Sequence, residues 1–100
     1  MNKKTVDSEK VVERKLVELV KMNGGMCIKL FCDQLIGLPD RMCLFPGHKM
    51  VFVELKTTGR KPKRIQMYMH NKLRALGFRV EVIDTVESVV NFVETILNNK

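Results

Sequence analysis

Gly37-Leu38-Pro39-Asp40-Arg41-Met42-Cys43-Leu44-Phe45-Pro46-Gly47-His48-Lys49-Met50-Val51-Phe52-Val53-Glu54-Leu55-Lys56 is the stretch on which the rest of this 100-residue chain turns. Apolar alternation in Met42 to Phe45 and in Val51 to Leu55, on either side of Pro46-Gly47, predicts a β-hairpin. Its Pro46-Gly47-His48-Lys49 loop is longer than the tightest turns. A hairpin closed there sets Asp40 beside Glu54. Side chains alternate along a strand, so Glu54 and Lys56 share a face that Asp40 reaches from the partner strand, while Leu55 points the other way. Paired carboxylates beside an ammonium suit Mg²⁺ or Mn²⁺ completed by water and a phosphate. The alternative is an amphipathic hairpin whose solvent face carries these charges, since short acidic and basic patterns are frequent.

Composition narrows the setting. One hundred residues, 45% of them hydrophobic, fit one core and one domain. A formal charge of +7 points to an anionic partner, nucleic acid first and a membrane surface second. No apolar run reaches the roughly 20 residues of a membrane span. The charged start Met1-Asn2-Lys3-Lys4-Thr5-Val6-Asp7 leads into no apolar segment of the kind a secretory signal needs, so a cytoplasmic protein is expected. Residues 1–7 are expected to be a disordered basic N-terminus and residues 8–100 a single domain. Cys27, Cys32 and Cys43 form no Cys-x-x-Cys pair and fall in expected strands, which favours buried thiols over disulfides or zinc. His48 and His70 add no metal spacing.

In chain order, Ser8 caps a helix that Gly24-Gly25 ends near Asn23, with Val12, Leu16, Leu19 and Val20 as its buried stripe. Glu9 and Glu13 fall on or beside that stripe. Each either keeps its carboxylate in water at the core's edge or faces a metal. Met26 to Cys32 reads as a strand in which Lys29 interrupts an apolar pattern, as a snorkelling lysine or a phosphate contact. Pro39 keeps Leu38 out of helical geometry just before Asp40. From Lys56 to Arg79 the chain carries Lys56, Arg60, Lys61, Lys63, Arg64, Lys72, Arg74 and Arg79 and no acid. Surface helices usually mix signs, so this one-sidedness speaks of the partner. Pro62 precedes a helix from about Lys63 to Leu76, with Ile65, Met69, Leu73 and Leu76 as its core stripe and Gln66 and His70 flanking it. A strand from Phe78 to Ile83 follows, then a helix capped by Asp84 with Glu87, its apolar positions running from Val86 to Leu97. The order α-β-β-β-α-β-α predicts an α/β (α+β) fold, a mixed central sheet flanked by helices.

Glu13-Arg14-Lys15-Leu16-Val17, Gly24-Gly25, Lys29, Gly37-Leu38-Pro39-Asp40-Arg41, Val53-Glu54-Leu55-Lys56, Gln66, His70, Leu73 and Gly77, taken in this order, resemble the VRR-NUC family. This is the virus-type replication-repair nuclease branch of the PD-(D/E)xK superfamily, and the resemblance spans Ser8 to Val82. It implies a restriction-endonuclease-like core, Mg²⁺ or Mn²⁺ dependence, no organic cofactor, and hydrolysis of DNA phosphodiesters. Asp40 and Glu54 match the metal-binding acids, joined by the Leu55 carbonyl; Lys56 matches the lysine of the motif and Gln66 the glutamine behind it. Glu13 matches the acid of the first helix, since Glu13 to Val17 followed by glycines also resembles archaeal Holliday-junction resolvases, and Glu9 is its possible substitute. The short form resembles stand-alone phage or bacterial versions. That implies a structure-selective endonuclease of DNA repair acting on four-way junctions in a bacterial cell or phage-infected host, as a homodimer; Met67, Tyr68 and Phe92, apolar residues the expected core does not claim, are its interface candidates. Lys29, Arg41, Arg60, Lys61, Lys63 and Arg64 are the residues expected to hold the DNA backbone. The competing readings are a nuclease of flaps or other branches and a DNA-binding module with no chemistry. A binder gains nothing from aiming acids at a polyanion unless a cation lies between them.

Overall fold

Ser8 starts the first element by accepting a hydrogen bond from the Val11 amide, with Glu9 in the first turn where the helix dipole favours an acid. The computed structural model describes residues 5–99. Helix α1 spans Glu9–Met22 and ends at Asn23, after which Gly24 takes a φ of 81° that few other residues adopt. Its Val12, Leu16 and Val20 are fully buried and Leu19 packs at their edge. The remaining elements are β1 (Met26–Lys29), β2 (Arg41–Phe45), β3 (Lys49–Leu55), α2 (Arg64–Ala75), β4 (Arg79–Ile83) and α3 (Val86–Asn98). This is the α+β order read from the sequence.

The sheet runs β1-β2-β3-β4, with the first two pairings antiparallel and β3 parallel to β4 through the α2 crossover. One face carries Cys43, Phe45, Val51, Val53, Leu55 and Ile83 into a core closed by α1 and by Val89, Phe92, Val93 and Ile96 of α3. Phe45 and Phe92 meet edge to face, their centroids 6.1 Å apart. The alternate residues of β3 therefore face the other way. There Glu54 meets α2.

Several local expectations are corrected. Strand β1 stops at Lys29 because its partner β2 begins only at Arg41, opposite Lys29. Cys32 consequently lies outside any strand and is exposed, whereas Cys27 and Cys43 oppose each other with Sγ atoms 3.8 Å apart. The hairpin loop is Pro46–His48 and Lys49 already pairs with Phe45, the tighter turn being possible because Gly47 and His48 both take positive φ. On α2, Ile65 and Leu76 are exposed and the one buried side chain is His70. Phe92 belongs to the core and not to the surface. Thr85, not Asp84, caps α3. Asp84 instead accepts from the Gly59 amide, and its carbonyl accepts from the Thr58 hydroxyl. Asp7, expected within the frayed end, caps the Val86 amide; its own amide donates to the Thr58 hydroxyl and its carbonyl accepts from the Thr58 amide. Met1 to Lys4 of that segment lie outside the described residues.

Candidate active site

Continuing the β2–β3 register one step beyond Arg41↔Val53 sets Asp40 opposite Glu54. Asp40 is fixed twice: its Oδ2 accepts the Leu55 amide at 2.8 Å, and its carbonyl accepts the Leu30 amide at 2.9 Å. Pro39 before it is fully buried. Glu54 is 1% exposed although charged residues rarely sit so deep without partners. Its Oε2 receives Lys56 Nζ at 3.1 Å and Gln66 Nε2 at 3.0 Å.

Gln66 is oriented by what it does at both ends. Its Oε1 accepts from Lys56 Nζ at 3.0 Å and from the Lys63 amide at 2.8 Å, closing the first turn of α2, so its NH₂ is left for Glu54. The other oxygen of Glu54 has a different neighbour. Oε1 lies 3.5 Å from Nε2 of the buried His70, and neither atom has a hydrogen-bond partner. Burial first, and then the charge of Asp40, push the Glu54 carboxyl up to about 7, against the pull of Lys56. Burial first, then Arg74 and Lys56, hold His70 below its ordinary value, so its imidazole is neutral at pH 7.

Comparison with known proteins gives the chain its relatives. A protein named "Putative nuclease p44", from Acyrthosiphon pisum secondary endosymbiont phage 1, is 39% identical over 77 residues, which are 77% of this chain and 83% of that relative. A solved structure described as "VRR_NUC domain" matches with a TM-score of 0.81 and 27% identity, over 88% of this chain and 97% of that one. The chain belongs to the VRR-NUC family. No family model matches it.

In this VRR-NUC chain Asp40, Glu54, Lys56 and Gln66 are brought together, and Glu13 is not. Glu13 Oε2 instead accepts from Arg41 Nε at 3.1 Å, and Arg41 Nη1 reaches the Cys27 carbonyl at 3.2 Å. Glu9 is exposed, its amide bonded to the Thr57 hydroxyl. Among the described residues no three His, Cys, Asp or Glu side chains converge on one point. Two carboxylates are still enough for a Mg²⁺ that keeps its waters and takes a substrate phosphate. The donors of Asp40 and Glu54 are all oxygen, and Glu54 Oε1 is buried with no hydrogen bond. Such a pair, poorly compensated when ionised, fits a hard divalent cation.

Of the backbone-binding candidates, Lys29, Arg60, Lys61, Lys63 and Arg64 are exposed, whereas Arg41 is spent on Glu13 and Cys27. The last four occupy the segment between Lys56 and the start of α2. Its first part is held rigid through Thr57, Thr58 and Gly59 by bonds to Glu9, Asp7 and Asp84. The site residue that sequence reasoning missed is His70. The sequence places it one turn from Gln66 and within the VRR-NUC set, and only the role facing Glu54 was left unassigned.

Proposed function

We propose that this chain is a Mg²⁺- or Mn²⁺-dependent endonuclease that hydrolyses phosphodiesters of branched DNA, four-way junctions above all. The observation that carries the reading is the Glu54 carboxyl, buried beside Asp40 and Lys56, pushed up to about 7 and left with one unpartnered oxygen. A module that only binds DNA has no use for that pair, whereas a nuclease does. Asp40, Glu54 and the Leu55 carbonyl would hold the ion, which when bound polarises the scissile phosphate and lowers the pKa of a bound water. Lys56, its ammonium shared between Glu54 and Gln66, orients the attacking water and offsets charge that builds on the phosphate. Gln66 keeps Lys56 and Glu54 in register. Glu13 would support a second ion only by leaving Arg41.

Lys29, Arg60, Lys61, Lys63 and Arg64 grip phosphates without regard to sequence. A homodimer duplicates that grip and matches the approximate two-fold symmetry of a four-way junction. Exposed Met67 and Tyr68 on α2 supply apolar surface for it. The place of action is the cytoplasm of a bacterial or phage-infected cell; no described helix is long and apolar enough to cross a membrane.

The test is to incubate the purified protein with linear, nicked, flapped and four-way DNA in Mg²⁺, Mn²⁺ or EDTA. Metal-dependent cutting that favours the four-way substrate is expected. Equal cutting of linear and four-way DNA would remove the junction preference, and no cutting in either metal would remove the nuclease.

A further inference from the structure

Phe31 is 83% exposed, and no large hydrophobic residue among those described is more so. It stands one residue beyond Leu30, whose amide is bonded to the Asp40 carbonyl, so its backbone is tethered beside one of the two site acids. Lys29 Nζ lies 5.5 Å from the ring centroid, a cation–π contact that sets an ammonium beside a ring otherwise open to solvent. The far end of the same loop is anchored too. A Cβ on Gly37 would fall 2.6 Å from the Ile65 carbonyl, so the loop leans closely on the first turn of α2, where Gln66 sits.

An open aromatic face with an ammonium at its edge offers one contact to a base and another to a phosphate. Bases inside a duplex are already stacked on their neighbours; those at a branch point, a flap or a single strand are not. Every base has a π-face, so such a contact is blind to sequence and sensitive to pairing. An apolar face of a second copy is a poorer match, because the Lys29 charge would be carried into the interface with the ring.

We propose that Phe31, with Lys29, is a stacking platform that receives an unpaired nucleotide beside the Asp40–Glu54 pair, and that it gives the site its preference for branched or single-stranded DNA. The inference rests on the nuclease reading of that pair and adds the feature of the substrate that is recognised.

The chain contains no tryptophan, so Phe31→Trp installs a single indole reporter. In EDTA, titration with a single-stranded oligonucleotide should quench its fluorescence, while an abasic oligonucleotide of equal length and a blunt duplex should not. Phe31→Ala and Phe31→Leu should both weaken single-strand and four-way DNA binding by roughly 5- to 150-fold, the usual cost of removing one base–aromatic stack. Duplex affinity and the mass by light scattering should stay as in the wild type. Equal quenching by abasic or duplex DNA, full affinity in Phe31→Leu, or a lower mass in Phe31→Ala would each overturn the platform, the last by assigning Phe31 to self-association. Wild-type cleavage with an unquenched indole defeats the platform alone. Quenching without cleavage in any metal leaves the platform standing and defeats the nuclease reading.

Discussion

Glu54→Gln should make the metal-free protein more stable at alkaline pH while ending cleavage. The folded chain holds this carboxyl at about 7 against an ordinary 4.5, through burial first and the Asp40 charge second. A raised folded value means that the native state keeps a proton which the unfolded chain has released. Stability therefore falls as pH rises between these two values, and the whole loss is in place above the upper one. The gap between 4.5 and about 7 corresponds to about 3 kcal/mol. Glutamine keeps the shape and the polar contacts but cannot ionise, and the attraction of Lys56 is already contained in the value of about 7. At pH 8 without metal the variant should be ahead by about 3 kcal/mol, roughly 12–24 °C in melting temperature for a chain of this size. At pH 4, where Glu54 is protonated, the advantage should vanish. His70, held below its ordinary value, withdraws stability as pH falls past that value, and because it lies 3.5 Å from Glu54 Oε1 the difference that reports Glu54 is the one at pH 8, where His70 is neutral in both proteins. A divalent cation at a hundredfold excess over its dissociation constant should restore about 2.7 kcal/mol to the wild type and nothing to the variant. The assay is thermal unfolding of both proteins from pH 4 to pH 8, in EDTA and in Mn²⁺. A difference that does not grow with pH would refute the electrostatic reasoning.

Three further outcomes are expected. Glu54→Ala and Lys56→Ala should each lower four-way DNA cleavage at least about a hundredfold while leaving DNA binding in place, measured by gel assay and by anisotropy. Combining Arg60→Ala, Lys61→Ala and Lys63→Ala should weaken binding to all DNA sequences alike and flatten the salt dependence by about one unit of slope for each phosphate no longer neutralised, with metal affinity unchanged in calorimetry. Gly37→Ala should cost about 1–3 kcal/mol in urea unfolding, because the new Cβ meets the Ile65 carbonyl and the position has a φ of 90°.

The hairpin was legible from a period of two on both sides of Pro46-Gly47. The register was less so: a four-residue loop Pro46–Lys49 would pair Phe45 with Met50 and set Asp40 opposite Leu55, and it is the observed pairing of Phe45 with Lys49 that faces Asp40 to Glu54. The end of β1 was not legible. Ile28, Leu30 and Cys32 continue an apolar pattern, but a strand lasts only as long as its partner, and β2 starts opposite Lys29. Periodicity also misjudged α2, whose turned-in face is Gln66, Met69, His70 and Leu73 and not a purely apolar stripe. That face covers a carboxylate, so polar residues are buried where a core helix would carry leucine. The true partner of Glu13 depends on Arg41 lying across the sheet, 28 residues away, and no local pattern carries that information.

The Pro46–His48 turn touches none of the site residues, yet it is the remote adjuster of the whole arrangement. Strands β2 and β3 behave as two graduated rulers joined at this turn, and Asp40 and Glu54 are opposite marks at their far ends. Sliding one ruler by a single division exchanges every side chain between the two faces, since alternation leaves no intermediate setting. Deleting one residue from the turn would bring Val53 or Leu55 opposite Asp40 and swing Glu54 and Lys56 together away from Asp40 and Gln66, with all four residues still encoded in order. A motif search would score such a relative as intact. Among natural variants of this chain, the length of a distant loop is therefore as much a part of the active site as the acids themselves.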